Sequence, residues 1–201
     1  MKDQEEDSQS ADVDIQGCER MYDGFFKLDA YRHRFRRSNG AFSAPLERLI
    51  FERGDAAAVL PYDLARHCVI LVRQFRLPAH LREGQGWLWE TIAGIVDRGR
   101  TPEDVARAEA LEEAGLRLSA LEHVTTCFLS CGASTERITI YVAPYSQDAL
   151  VAAGGGLPEE GEDIEVRELD LDEALAMLAR GEIRDAKTVI ALQHLASRFC
   201  R

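Results

Sequence analysis

From Met21 onward the apolar and polar positions fall into runs with one of two periods. The stretch FFKLDAYRHRF (25–35) alternates like a half-buried strand, Ser38-Asn39-Gly40 is a turn signal, and ERLIFERG (47–54) reads as the returning strand. Together they predict an N-terminal antiparallel β unit over 17–54, of a size at which isolated hairpins are marginal. AAAVLPYD (56–63) and CVILVRQFRL (68–77) are two more strands, joined by a polar turn around Asp63–His67. HLREGQG (80–86) then reads as a loop and WLWETIAG (87–94) as a single strand. The period changes at Thr101, a good N-cap, with Pro102 at the first helical position, Asp104 where a capping-box acid belongs and Gly115 as the stop. A helix is therefore predicted over 102–114. LEHVTTCFLS (121–130) and RITIYVAPY (137–145) are strands, 146–162 is a loop with GGG and EEGED, and IEVRELDL (164–171) is a last strand. LDEALAMLARG and AKTVIALQHLASRF carry helical periodicity to the end. The fold class is α/β (α+β): mixed strands around a few helices.

Residues 1–16 show no apolar periodicity and repeat like charges, and are expected to be a flexible acidic tail. Across 201 residues the hydrophobic fraction is 46%, enough for one well-buried domain with a small appendage. The formal net charge of −11 excludes a general nucleic-acid binder, which needs a basic surface. No apolar run reaches the length of a membrane span. Five scattered cysteines, odd in number, read as reduced thiols in a cytoplasmic protein. Only Cys127 and Cys131 lie close together, without the further ligands of a zinc site.

The acidic composition matters most in the predicted helix. Glu109, Glu112 and Glu113 stand at i, i+3 and i+4, where like charges repel by roughly 0.2–0.5 kcal/mol per pair. They also lie in the last turns, the end that already carries partial negative charge. A solvated acidic face is one explanation. The other is a bound divalent cation, which favours hard carboxylate oxygens presented on a rigid element.

The stretch AGIVDRGRTPEDVARAEALEEAGL (93–116) resembles the box of the Nudix hydrolases, G-x5-E-x7-R-E-U-x-E-E-x-G-U with U aliphatic. GFFKLDAYRHR, IFERGDAAAVLPYD, SCGASTER, EDIEV and TVIALQ resemble the bacterial ADP-ribose pyrophosphatase branch of that family. The resemblance implies a Nudix α/β/α sandwich with a mixed sheet over 55–201, joined to the N-terminal β unit, which would serve dimerisation. It implies magnesium, with manganese as a substitute, held by Glu109, Glu113, Glu162 and the backbone carbonyl of Ala93. Glu112 would be a further ligand or a catalytic partner one step from the metal. Glu160 would be the general base, with Glu159 a competitor because the loop alignment can slip by one residue. Phe25, Phe26, Arg48, Arg53, Arg76, Ile95, Ser130, Cys131, Gly132 and Glu136 would bind the substrate, with Phe25 and Phe26 reaching a neighbouring subunit of a homodimer.

Three positions depart from the family pattern. Arg100 stands where the box has glutamate, Ala108 where it has arginine, and Cys131 where proline is common. An inward Arg100 would oppose magnesium, since unit charges about 4 Å apart interact by roughly 4 kcal/mol at an effective dielectric of 20. Arg100 is therefore expected to turn outward or to pair with a helix glutamate. The implied activity is magnesium-dependent hydrolysis of ADP-ribose or a related nucleoside diphosphate sugar to a nucleoside monophosphate and a sugar phosphate. The alternatives are a GDP-mannose or UDP-glucose pyrophosphatase, and a nucleotide-sugar binder or sensor with weak or no activity.

Overall fold

Strand β4 (Ala56–Asp63) and strand β5 (Cys68–Phe75) are apolar almost throughout because both faces of their sheet are covered. The computed structural model, which describes residues 12–97, 99–157 and 161–199, shows how. Alternate residues of β4 serve two cores. Ala56, Ala58, Leu60 and Tyr62 pack with α3 (Leu171–Ala179) and α4 (Ala186–Phe199), whereas Ala57 and Val59 pack with Val105, Ala106, Ala110 and Ala114 of α2 (Pro102–Ala114). The result is an α/β/α sandwich with a mixed central sheet.

That sheet has β10 (Glu165–Asp170), β5, β4, β9 (Arg137–Pro144) and β8 (Glu122–Phe128) in order, with β4 and β9 parallel. Strands β4 and β5 pair only at Tyr62–Val69 and Asp63–Cys68, and then separate. Two short strands fill the opening. β6 (Trp87–Glu90) pairs with β5 and β7 (Ile92–Ile95) with β4. WLWETIAG is thus two strands with different partners and not the one strand expected. Thr91 lies at the break, its hydroxyl donating to the Val59 carbonyl and its N–H to the Thr188 hydroxyl. The loop expected over 80–86 is also corrected: a short helix, α1 (Leu77–Glu83), takes up its first four residues, with no buried side chain to announce it.

The other compact unit comprises the described residues up to Gly54 together with 130–136. Its three strands, β1 (Val13–Asp23), β2 (Lys27–Phe35) and β3 (Leu46–Glu52), form an antiparallel sheet in that order. β1 begins inside the stretch assigned to a tail over 1–16; residues 1–11 lie outside the described ones. Its exposed face carries no clean alternation, which hid it in the sequence. The 130–136 segment joins this sheet through Phe51, which donates to the Ala133 carbonyl and accepts from Thr135 N–H.

Candidate active site

Helix α2 is fixed at both ends by the residues expected to do so. The Thr101 hydroxyl accepts from Asp104 N–H while the Asp104 carboxylate accepts from Thr101 N–H, a reciprocal capping box. Gly115 closes the helix in the left-handed region at φ 65°, and no basic residue lies in the last turn. The exposed carbonyls there meet the glycine-rich loop instead. Gly155 N–H bonds the Glu113 carbonyl at 2.8 Å and Gly156 N–H reaches the Glu112 carbonyl at 3.4 Å.

Glu113 sits on this helix among apolar neighbours, its residue only 2% exposed. Its Oε2 is buried without a hydrogen-bond partner. Burial, followed by the charges of Glu109 and Glu162, pushes its pKa up to about 8, against the pull of a backbone hydrogen bond from Ala93 and of the Arg76 charge. Glu109 and Glu112 are half-buried beside it. Gly94 on β7 lets the strand approach the cluster, since a Cβ there would stand 2.1 Å from Glu109 Oε1. Glu162 is held in the following loop, its Oε2 accepting from Leu157 N–H at 3.0 Å. Glu159 and Glu160 lie outside the described residues.

A buried, unpartnered carboxylate oxygen facing further carboxylates is an arrangement that a divalent cation completes, and its donors are the hard oxygens magnesium takes. Glu109, Glu113 and Glu162 fit that requirement, with Ala93 beside them on β7. They are not drawn as tightly together as His67, Asp170 and Asp172, whose ligand atoms lie within 4.8 Å of one another. That second group has a structural explanation, because Asp170 caps α3 and Asp172 pairs with His67. Arg100 is exposed and donates to the Asp104 carbonyl at 3.2 Å, at the opposite end of α2 from Glu112 and Glu113.

Arg76 is engaged by the protein itself. Its Nε and Nη2 bind both oxygens of Glu90 at 2.8 and 2.9 Å. Lys187 Nζ bonds Glu90 at 2.6 Å and Asp185 at 2.8 Å. Asp185 in turn accepts from the N–H and hydroxyl of Thr188. The sequence reading missed Glu90, Asp185 and Lys187. The available signal was an acid at the end of the aromatic run WLWE and a lysine inside the apolar helix AKTVIALQ. Ile95, half-buried, ends β7 opposite Ala56.

The remaining candidates gather in the N-terminal unit. Phe26 packs edge-on against Phe25 (ring centroids 4.7 Å apart) and Phe51 (5.2 Å), with the Arg53 guanidinium 5.3 Å above its ring. Arg53 also lies 3.5 Å from Glu136. Ser130 starts the turn through Cys131 and Gly132, its carbonyl accepting from Ala133 and Ser134 N–H. Arg48 stays apart from this group, exposed on β3, with a hydrogen bond to the Glu47 carbonyl.

An α/β/α sandwich with several carboxylates on one helix beside the end of a strand is a scaffold able to hold a divalent cation. The NUDIX domain model matches residues 52–192, and the chain belongs to the Nudix hydrolase family. It is 43% identical to the ADP-ribose pyrophosphatase of Escherichia coli K12 over 185 residues, covering 92% of this chain and 88% of that protein. It is 38% identical to the GDP-mannose pyrophosphatase of Pectobacterium atrosepticum, covering 92% and 94%. A crystal structure of an ADP compounds hydrolase matches the fold with a TM-score of 0.69 at 19% identity, over 94% of this chain and 96% of that one.

Proposed function

We propose that this chain hydrolyses the diphosphate of ADP-ribose or a related nucleoside diphosphate sugar in a magnesium-dependent reaction. The observation that carries the proposal is Glu113, buried with an unpartnered oxygen and subject to the charges of Glu109 and Glu162. These three carboxylates and the Ala93 carbonyl would hold magnesium, or manganese in its place, with Glu112 supporting them. When bound, the metal neutralises the diphosphate and lowers the pKa of water. Glu160 takes a proton from the attacking water, with Glu159 the competing assignment. One P–O bond forms to the water oxygen as the bridging P–O bond breaks, giving a nucleoside monophosphate and a sugar phosphate. Phe26 offers a face for the base or sugar, and Arg53 and Glu136 a polar edge beside it. Ser130, Cys131, Gly132, Arg48 and Ile95 complete the proposed contacts, and Arg76 offers a phosphate oxygen the nitrogen that Glu90 leaves free.

The relatives divide between ADP-ribose and GDP-mannose, so the test is a panel of ADP-ribose, GDP-mannose and UDP-glucose with magnesium and product identification. Turnover of one of them, lost in Glu113→Gln, is the expected result; no turnover of any would contradict the proposal. Arg100 and Ala108 favour one other reading, a binder with little activity. Because Arg100 turns to the Asp104 carbonyl, the combined change Arg100→Glu and Ala108→Arg is expected to alter the rate by less than about tenfold. A large rise from near zero would support the binder instead.

We place the protein in the cytoplasm on its free thiols, Cys18, Cys68, Cys127 and Cys131. No helix among the described residues is long and apolar enough to cross a membrane.

A further inference from the structure

Arg76 acts electrostatically on Glu113, yet does not bond its buried, unpartnered oxygen. A guanidinium near such a carboxylate would ordinarily pair with it. Here both oxygens of Glu90 hold Arg76 through Nε and Nη2, and Glu90 is itself only 2% exposed. Lys187, 7% exposed, holds Glu90 from a second direction and is tied to Asp185 at the start of α4. The set contains two cations, Arg76 and Lys187, and two anions, Glu90 and Asp185. It is balanced without Glu113. Glu90 and Ala93 flank the break between β6 and β7 that Thr91 pins to Val59 and Thr188, so the clamp and the acid cluster share one rigid strand connection.

We propose that Glu90, backed by Lys187, is a positioning residue that keeps Arg76 from becoming the counter-cation of Glu113, so that this carboxylate stays available to a divalent ion. This rests on the reading of that cluster as the magnesium site. Removing Glu90's charge frees Arg76 to turn onto Glu113, where it competes with the metal without any ligand having been lost. The same clamp leaves Arg76 Nη1 without a hydrogen bond among the described residues, and so open to a ligand.

The test measures ion binding and not turnover. Magnesium alone is titrated by calorimetry, and manganese is followed by loss of its free-ion paramagnetic signal. Wild type, Glu90→Gln, Arg76→Met and the double variant are compared, with folding checked by circular dichroism. Glu90→Gln is expected to weaken binding about 10–100-fold, the usual effect of losing a partner behind a ligand. Arg76→Met alone should bind at least as tightly as wild type. Added to Glu90→Gln, it should restore most of the loss. A merely structural role for Glu90 gives no such rescue, so an unrescued loss, or equal binding by Glu90→Gln, overturns the clamp. Wild type that takes up neither ion overturns the metal reading and the clamp with it. If Glu90→Gln does not fold, Glu90→Asp keeps the charge opposite Lys187 but shortens the reach. It should show a smaller loss with the same rescue, and an unrescued loss or none overturns the proposal.

Discussion

Glu113 carries the tension in this protein. A carboxyl whose pKa rises on folding binds its proton more tightly in the native state than in the unfolded chain. Its contribution to stability is full below the unfolded value, near 4.5, and is lost as pH climbs through about 8. The metal-free protein should therefore lose stability on the order of a few kcal/mol across that window through this one group. Glu113→Gln should remove the slope and, at pH 8 without metal, melt several degrees higher than wild type, at roughly 2–4 °C per kcal/mol for a chain of this size. Magnesium should reverse the order, raising the melting temperature of wild type and not of the variant, because only a ligand that binds the native state stabilises it. Thermal melts at pH 5 and pH 8, with and without magnesium, check both halves. A variant no more stable than wild type at pH 8 would show that the buried charge is compensated by some other group.

At the scale of elements, helix α2 was fully legible because each of its signals is local: Thr101 and Asp104 at the start, Gly115 at the end, glutamates at helical spacing between. Strands β4, β5 and β9 were legible from their apolar runs. What stayed hidden depends on partners far away in sequence. The split of WLWETIAG follows from β4 and β5 parting, and β1 and α1 have largely exposed faces with no pattern to read. The Glu90 network was hidden for the same reason, since Glu90 and Lys187 lie 97 positions apart. Two glycines show how an element serves the site or the fold. The three atoms nearest a Cβ on Gly94 would all belong to the Glu109 side chain, with Oε1 at 2.1 Å, Cδ at 2.3 Å and Cγ at 2.6 Å. Gly94→Ala should displace that carboxylate, weakening magnesium binding about tenfold or more while barely moving the melting temperature, as expected when an orienting contact of a ligand is lost. Gly115→Ala meets backbone, the Ala152 carbonyl at 2.0 Å, at a positive φ. It should destabilise the whole fold, by about 1 kcal/mol or more. Calorimetric titration alongside melting curves separates the two effects; a Gly94→Ala protein with unchanged ion affinity would place Glu109 outside the metal site.

For the whole molecule the open matter is whether one chain is enough. Phe25, in the turn between β1 and β2, is 84% exposed, and Met21, Tyr22 and Leu49 of the adjoining sheet are each more than half exposed. Single exposed apolar residues are ordinary, but several on one small three-stranded unit suggest a surface that is covered in the working protein. A second copy of this chain is the occupant implied by the family resemblance, with Phe25 and Phe26 reaching the partner's nucleotide pocket. The net charge of −11 opposes association of two copies, so the contact must be apolar enough to outweigh that repulsion. Burying one phenylalanine contributes about 1.5–3 kcal/mol, which makes Phe25 a sensitive probe. Light scattering should find a dimer at micromolar concentration, and Phe25→Ala should shift it toward monomer. If the ring also touches substrate across the dimer, the variant should raise KM well beyond its effect on kcat. Magnesium uptake should stay unchanged, because Glu109, Glu113 and Glu162 all belong to the other compact unit. A wild-type monomer with full activity would leave Phe25 and Phe26 serving their own chain, and the packing of Phe26 between Phe51 and Arg53 would then be the whole of their role.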